Sequence, residues 1–265
     1  MRREFIDGLG VGHGGDPAGT RLVFVHGAMD RGAGFLRTVR HLDDFSWTVY
    51  DRRGYGRSLV DDSASPSTFD RHVDDLIGLL DATAVGGPSV VVGHSLGGTI
   101  ALAAAARRPE LISSLLVHEA PLPWLPWWPL TDDDGRRIEE DGPSGAVERF
   151  MSRVIGREPW EQLPPSTRAQ RFAEGPTLVA ELVSVRGAPP FVGPEIPVPV
   201  MIGIGSLADP IRVRASQHLV QVLPNAQIAA IDGAPHGAQG THPGPFADLV
   251  RRTVEMGSGG ARPTT

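Results

Sequence analysis

Short runs of consecutive apolar residues alternate along this chain with longer stretches in which apolar residues recur every three or four positions. Leu22-Val23-Phe24-Val25, Trp47-Thr48-Val49-Tyr50, Ser89 to Val92, Leu115-Leu116-Val117, Val200-Met201-Ile202 and Ile228 to Ile231 are of the first kind. Being apolar on both faces, they read as strands of a sheet covered on both sides. Between them, Val73, Leu76, Ile77 and Leu80 keep the i, i+3, i+4, i+7 spacing of a helix. Asp70, Asp74, Asp75 and Asp81 lie on its other side, and Ser67 or Thr68 is available as its N-cap. Phe246, Leu249, Val250 and Val254 repeat the helical spacing near the C-terminus, with Pro243 suited to a first turn. Alternation of this kind predicts an α/β domain built on a mostly parallel sheet.

One stretch departs from the pattern. Residues 121–195 contain no clear strand, many prolines and only weak helical periodicity, as in Ala146 to Ile155. An insertion of this length within an α/β unit predicts a cap or lid. The expected organisation is therefore a core of residues 1–120 and 196–256, a cap of residues 121–195, and a disordered tail of residues 257–265.

Composition narrows the chemistry. The 265 residues are enough for one well-buried domain, and the net charge of −6 argues against a nucleic-acid or anionic-membrane partner. Every basic side chain except histidine is an arginine. Cysteine is absent, which removes disulfides, thiolate metal sites and cysteine nucleophiles. The first residues lack the apolar run of a signal peptide, and no stretch approaches the ~20 apolar residues of a membrane span. A soluble, cytoplasmic protein is expected. No His-x-His or His-Glu-x-x-His spacing points to a metal. Gly8-Leu9-Gly10-Val11-Gly12 lacks the strand–helix surroundings of a nucleotide loop.

The chemistry concentrates around Gly93-His94-Ser95-Leu96-Gly97-Gly98, which follows an apolar strand and precedes an alanine-rich helix. A serine at the apex of such a turn is presented as a nucleophile, and side chains at Gly93 or Gly97 would clash with neighbouring backbone. The plainer reading is that Ser95 caps the helix. The remaining parts follow in an order that suits catalysis. His26-Gly27-Ala28-Met29 ends the first clear strand, Asp209 lies just beyond the run at 200–205, and His236 just beyond the run at 228–231.

With these landmarks, and with Asp51-Arg52-Arg53-Gly54-Tyr55-Gly56-Arg57-Ser58 and Asp209-Pro210, the chain resembles the α/β-hydrolase superfamily over nearly its whole length. The resemblance implies an eight-stranded, mostly parallel sheet covered by helices on both faces, with a helical cap inserted after the strand at about 115–119. It is similar to the small bacterial esterase, carbon–carbon hydrolase and cofactor-free perhydrolase branches, which these landmarks do not separate.

Expected roles follow. Ser95 attacks, His236 accepts and returns the proton, and Asp209 orients the imidazole. Glu119, directly after the strand at 115–117, is the rival acid. The N–H groups of Leu96 and Ala28 meet the oxyanion. Met29, Trp124, Trp127 and Trp128 are candidate pocket residues, although the tryptophans could equally anchor the cap on the core. The segment 51–58 reads as a tight turn bracing the nucleophile loop in preference to an anion site. The expected activity is hydrolysis of a small or medium apolar ester, thioester or lactone, without cofactor or metal and with a small-molecule substrate, and neither nucleic acid nor membrane, as partner. Carbon–carbon cleavage, perhydrolysis and ligand binding without turnover are the alternatives, and the oligomeric state is open.

Overall fold

The computed structural model of the protein describes residues 1–59, 67–83, 87–129 and 132–259, the side chains of 132–139 excepted. The six apolar runs become β3 (Arg21–Val25), β4 (Ser46–Tyr50), β5 (Ser89–His94), β6 (Ile112–His118), β7 (Val200–Gly205) and β8 (Ala226–Ile231). They pair in parallel in the order β4-β3-β5-β6-β7-β8. Two further strands, β1 (Arg2–Ile6) and β2 (Leu9–Gly15), extend the sheet antiparallel along β4 and complete eight. Their hairpin turns at Asp7-Gly8, both with positive φ, as a two-residue primed turn requires. The glycines of β2 serve packing: a Cβ on Gly14 would lie 2.2 Å from the Trp47 ring of β4. The run set aside as a nucleotide loop is thus a strand.

Alternate residues of the central strands face opposite layers. Val23, Val25, Val91, Leu115, Val117 and Ile202 pack with α1 (Phe69–Ala82), α2 (Leu96–Arg107) and α7 (Pro210–Val222). Leu22, Phe24, Val90, Val92, Leu116 and Met201 pack with Phe35 and with Phe246, Leu249 and Val250 of α9 (Pro243–Ser258). α1 is capped by Thr68, whose Oγ1 accepts from Arg71 N–H at 3.3 Å. β8 departs from the expectation of two covered faces. It is an edge strand, with no described strand paired beyond it, and Ile228 is 45% exposed.

Between β6 and β7 the chain carries α3 (Asp132–Ile155), α4 (Arg157–Glu161), α5 (Pro165–Ala173) and α6 (Gly175–Ser184), with no strand among the described residues. α3 is broken at Gly142, which has φ 64°, and resumes at Pro143. The tail expected from residue 257 is helical through Ser258, because Gly257 packs closely against Ser113 and Ser114; residues 260–265 lie outside the described residues.

Candidate active site

β5 ends and α2 begins with only Ser95 between them, and the half-buried serine adopts φ 53°, ψ −127°. A non-glycine residue held there stores roughly 1–3 kcal/mol, so surrounding contacts must enforce it. They do. Ser95 N–H donates to the His118 carbonyl at 2.8 Å, and its own carbonyl accepts from Gly98 N–H at 2.8 Å. A Cβ on Gly93 would stand 2.5 Å from Gly97 O, and one on Gly97 2.1 Å from Val25 O. These contacts leave no room for side chains at either position.

The loop after β3 lies directly against the serine: a Cβ on Gly27 would come within 2.9 Å of Ser95 Cβ. Ala28 follows Gly27, and Met29 is buried at φ 55°. Leu96 opens α2, so its N–H is one of those that a helix leaves without an internal partner.

His236 stands in the loop after β8. Its Nδ1 meets Glu119 Oε2 at 2.6 Å, and Glu119 Oε1 accepts from Gly205 N–H at 2.9 Å. Glu119 is almost wholly buried and sits at φ 49°, one residue past the end of β6. Asp209, the preferred acid from sequence, is used differently. It caps α7, with Oδ1 accepting from Arg212 N–H at 3.0 Å and Oδ2 paired with the Arg212 guanidinium. The physical reason is local. Asp before Pro at the start of a helix is a strong N-cap, and the next turn supplies the arginine that engages it. β6 lies between β5 and β7, so a long side chain at its tip is centrally placed for an imidazole reaching over the sheet edge. The Asp-Pro pair opening a helical pattern was the sequence signal for this assignment.

His94, beside the serine, turns toward the histidine loop. Its Nε2 lies 2.9 Å from the His236 carbonyl, and its Nδ1 is 3.3 Å from Gln239 Nε2. That network assigns the proton to Nε2, so His94 holds the backbone of His236 in place. The His94 and His236 rings are 4.6 Å apart, and the His118 ring is 5.7 Å from His94. Burial pulls the His236 imidazole below its ordinary value, the Arg212 guanidinium adds to this, and Asp209 opposes it. The ring is therefore neutral near pH 7, the form a general base needs.

Of the three tryptophans of residues 124–128, Trp124 and Trp127 reach α7. Trp124 meets Phe191 edge-on at 5.5 Å, and both line a groove of about 310 Å³ with Leu122, His218 and Leu219. Trp127 packs on His218 and carries the Arg214 guanidinium 4.4 Å from its ring centre. They thus join the start of the insertion to α7. The cluster around the loop of Ala28 and Met29 comes instead from Tyr55, Val147, Met151, Trp160 and Leu178. Trp160, which sequence reasoning passed over, is fully buried there.

This arrangement, a serine at a strand–helix elbow with an imidazole–carboxylate pair at the same sheet edge, defines a class. The chain belongs to the alpha/beta hydrolase family, whose model matches residues 22–249. It is 32% identical over 168 residues to the lipase LipV of Mycobacterium tuberculosis, 63% of this chain and 58% of that protein, so it spans less than two thirds of that relative. In structure it is similar to a thermophilic esterase from Thermogutta terrifontis, with TM-score 0.75, 20% identity, and 94% and 93% of the two chains covered. It is also similar to the bromoperoxidase from Bacillus anthracis, with TM-score 0.74, 20% identity, and 93% and 95% covered. Among the described residues, no helix is long and apolar enough to cross a membrane, and no cluster of His, Cys, Asp or Glu is arranged to hold a metal.

Proposed function

We propose that the protein is a serine hydrolase that cleaves a small to medium apolar carboxylic ester, thioester or lactone through an acyl-enzyme. The observation that carries this reading is the 2.6 Å contact of His236 Nδ1 with buried Glu119, at the sheet edge where Ser95 is strained into its turn. With Nδ1 donating to Glu119, the free Nε2 is the basic atom. It takes the proton as Ser95 Oγ attacks the carbonyl carbon. The N–H groups of Leu96 and Ala28 receive the oxyanion, and the imidazolium returns its proton to the leaving group. Water then deacylates the enzyme by the same route. Glu119, with Asp209 capping α7, is the triad acid in this reading.

The loop of Ala28 and Met29 is backed by a buried apolar cluster of Val147, Met151, Trp160 and Leu178, and these apolar surroundings support an apolar substrate moiety. The test is a panel of 4-nitrophenyl esters, thioesters and lactones of graded acyl length, with a diketone and a peroxide-dependent assay alongside, run on wild type and Ser95→Ala. Ester, thioester or lactone turnover and fluorophosphonate labelling that both vanish in Ser95→Ala support the reading. Turnover confined to the diketone or peroxide assay transfers the same triad to those reactions. Tight ligand retention without turnover makes it a binding protein.

A further inference from the structure

The segment 51–58, which sequence reasoning took as a brace, docks on the cap helix α6 through charges buried on both sides. Arg52 and Glu181 are each almost or entirely buried, and they form an ion pair. Tyr55 Oη donates to Glu181 Oε2 at 2.7 Å, and His72 Nε2 lies 2.8 Å from Glu181 Oε1. The rest of the Arg52 side chain points at the loop beside the serine. Its Nε donates to the His26 carbonyl and its Nη2 to the Gly27 carbonyl, both at 3.0 Å. His26 Nε2 accepts from Arg52 N–H at 2.8 Å, which leaves Nδ1 to donate to Gly27 O at 2.8 Å.

The Gly27 carbonyl and the Ala28 N–H belong to one planar trans peptide, so fixing the direction of one fixes the opposite direction of the other. Gly27 O is held by three donors, His26 Nδ1, Arg52 Nη2 and the Asp30 N–H at 3.4 Å, and the Ala28 N–H is thereby aimed. Seven residues before Glu181, Glu174 is equally buried and accepts from Arg31 at 2.7 Å and from Gly56 N–H at 3.0 Å. Between the two glutamates, Thr177 fills the space that a side chain at Gly54 would need. Glu181 on α6 and Glu174 at its N-cap therefore hold the loop beside the serine at two points, through Arg52 and through Arg31.

We infer that Glu181 of the cap is a positioning residue for the oxyanion site, acting through Arg52 on the Gly27–Ala28 peptide. The inference rests on the serine-hydrolase reading. It assigns the Glu181 face of α6 to the catalytic framework.

Two variants test it. Glu181→Gln keeps the volume and removes the charge, and Arg52→Met/Glu181→Leu removes both charges together, so neither is left buried without a partner. Readouts are kcat and KM for the best 4-nitrophenyl ester, the Tm, and the affinity for a matching trifluoromethyl ketone, whose adduct with serine carries the oxyanion. The expected result for Glu181→Gln is a fall in kcat of about 10- to 100-fold, KM almost unchanged, and ketone affinity lowered in parallel with kcat/KM. The double variant is expected to recover Tm while kcat stays low.

A double variant with wild-type kcat and ketone affinity would overturn the inference, as would a Glu181→Gln defect seen in KM alone. If neither variant folds, Tyr55→Phe, which removes one hydrogen bond from Glu181, takes their place with a smaller fall of the same pattern. Wild-type protein that neither turns over the panel nor binds the ketone sinks the hydrolase reading, and the positioning role with it. Turnover by wild type with Glu181→Gln equal to it sinks the positioning role alone.

Discussion

At the tip of β6, Glu119 uses both carboxylate oxygens, one on the His236 ring and one on the Gly205 N–H. An amide cannot accept at both places without turning its NH₂ on one donor. Glu119→Gln is therefore expected to favour the wrong imidazole tautomer and lower kcat by about 10²–10⁴-fold with the fold intact. Asp209→Ala should act instead through the α7 cap, costing about 0.5–2 kcal/mol in urea denaturation while leaving kcat close to wild type. The reverse result in that pair would return the acid to Asp209. The pH profile belongs to the same residues. Burial and Arg212 depress His236, so the acid limb of kcat/KM should lie below the ordinary 6.5. Arg212→Gln removes one of the depressing charges and should move that limb to higher pH. The serine turn and the histidine loop were legible because strand, turn and loop order are local patterns. The choice between Glu119 and Asp209 was not, because it depends on which carboxylate the helix start had already engaged.

The elements around the site differ in what they tolerate. At the elbow of β5 and α2, the Gly97 α-carbon faces the Val25 and His26 carbonyls, and a methyl would sit 2.1 Å and 2.7 Å from them. Gly97→Ala is expected to destabilise by about 3 kcal/mol or more, or to prevent folding, because backbone on both sides must move. Gly78 in α1 is the contrast, since nothing lies within 4 Å of a Cβ there. Gly78→Ala should stabilise by about 0.5–1 kcal/mol in the same denaturation experiment, through helix propensity and the unfolded chain. The apolar runs announced six strands, but β2 escaped notice because its glycines carry no hydrophobic pattern. They make sense only against Trp47 of β4, a partner more than thirty residues away. The Asp7-Gly8 turn was the local sign of that hairpin.

In the whole molecule, several imidazoles share one burden. Burial holds His26 and His94 well below the ordinary 6.5, with Arg52 adding to it at His26 and His236 at His94. Burial, with His94 adding to it, pulls His118 down to about 3. Unfolding frees each to bind a proton once the pH falls below 6.5, so the unfolded state binds more protons there and stability declines as pH drops. Tm should be level from pH 8 to 7 and fall steadily between pH 6.5 and 4, as the unfolding free energy declines by at most about 1.4 kcal/mol per pH unit for each ring. Among the described residues neither nitrogen of the buried His118 ring has a hydrogen-bond partner, so His118→Leu should make that decline shallower without loss at pH 8. A slope unchanged by the substitution would exclude His118 as a contributor. By itself the sequence determined the six parallel strands, helices covering them, the serine turn and the histidine loop, because each depends on hydrophobic period and steric limits within a few residues. Tertiary structure alone decided which carboxylate meets His236, where the tryptophans lie and that α6 grips the loop beside Ser95. Those outcomes depend on distances between segments tens to more than a hundred residues apart, and local periodicity carries no information about them.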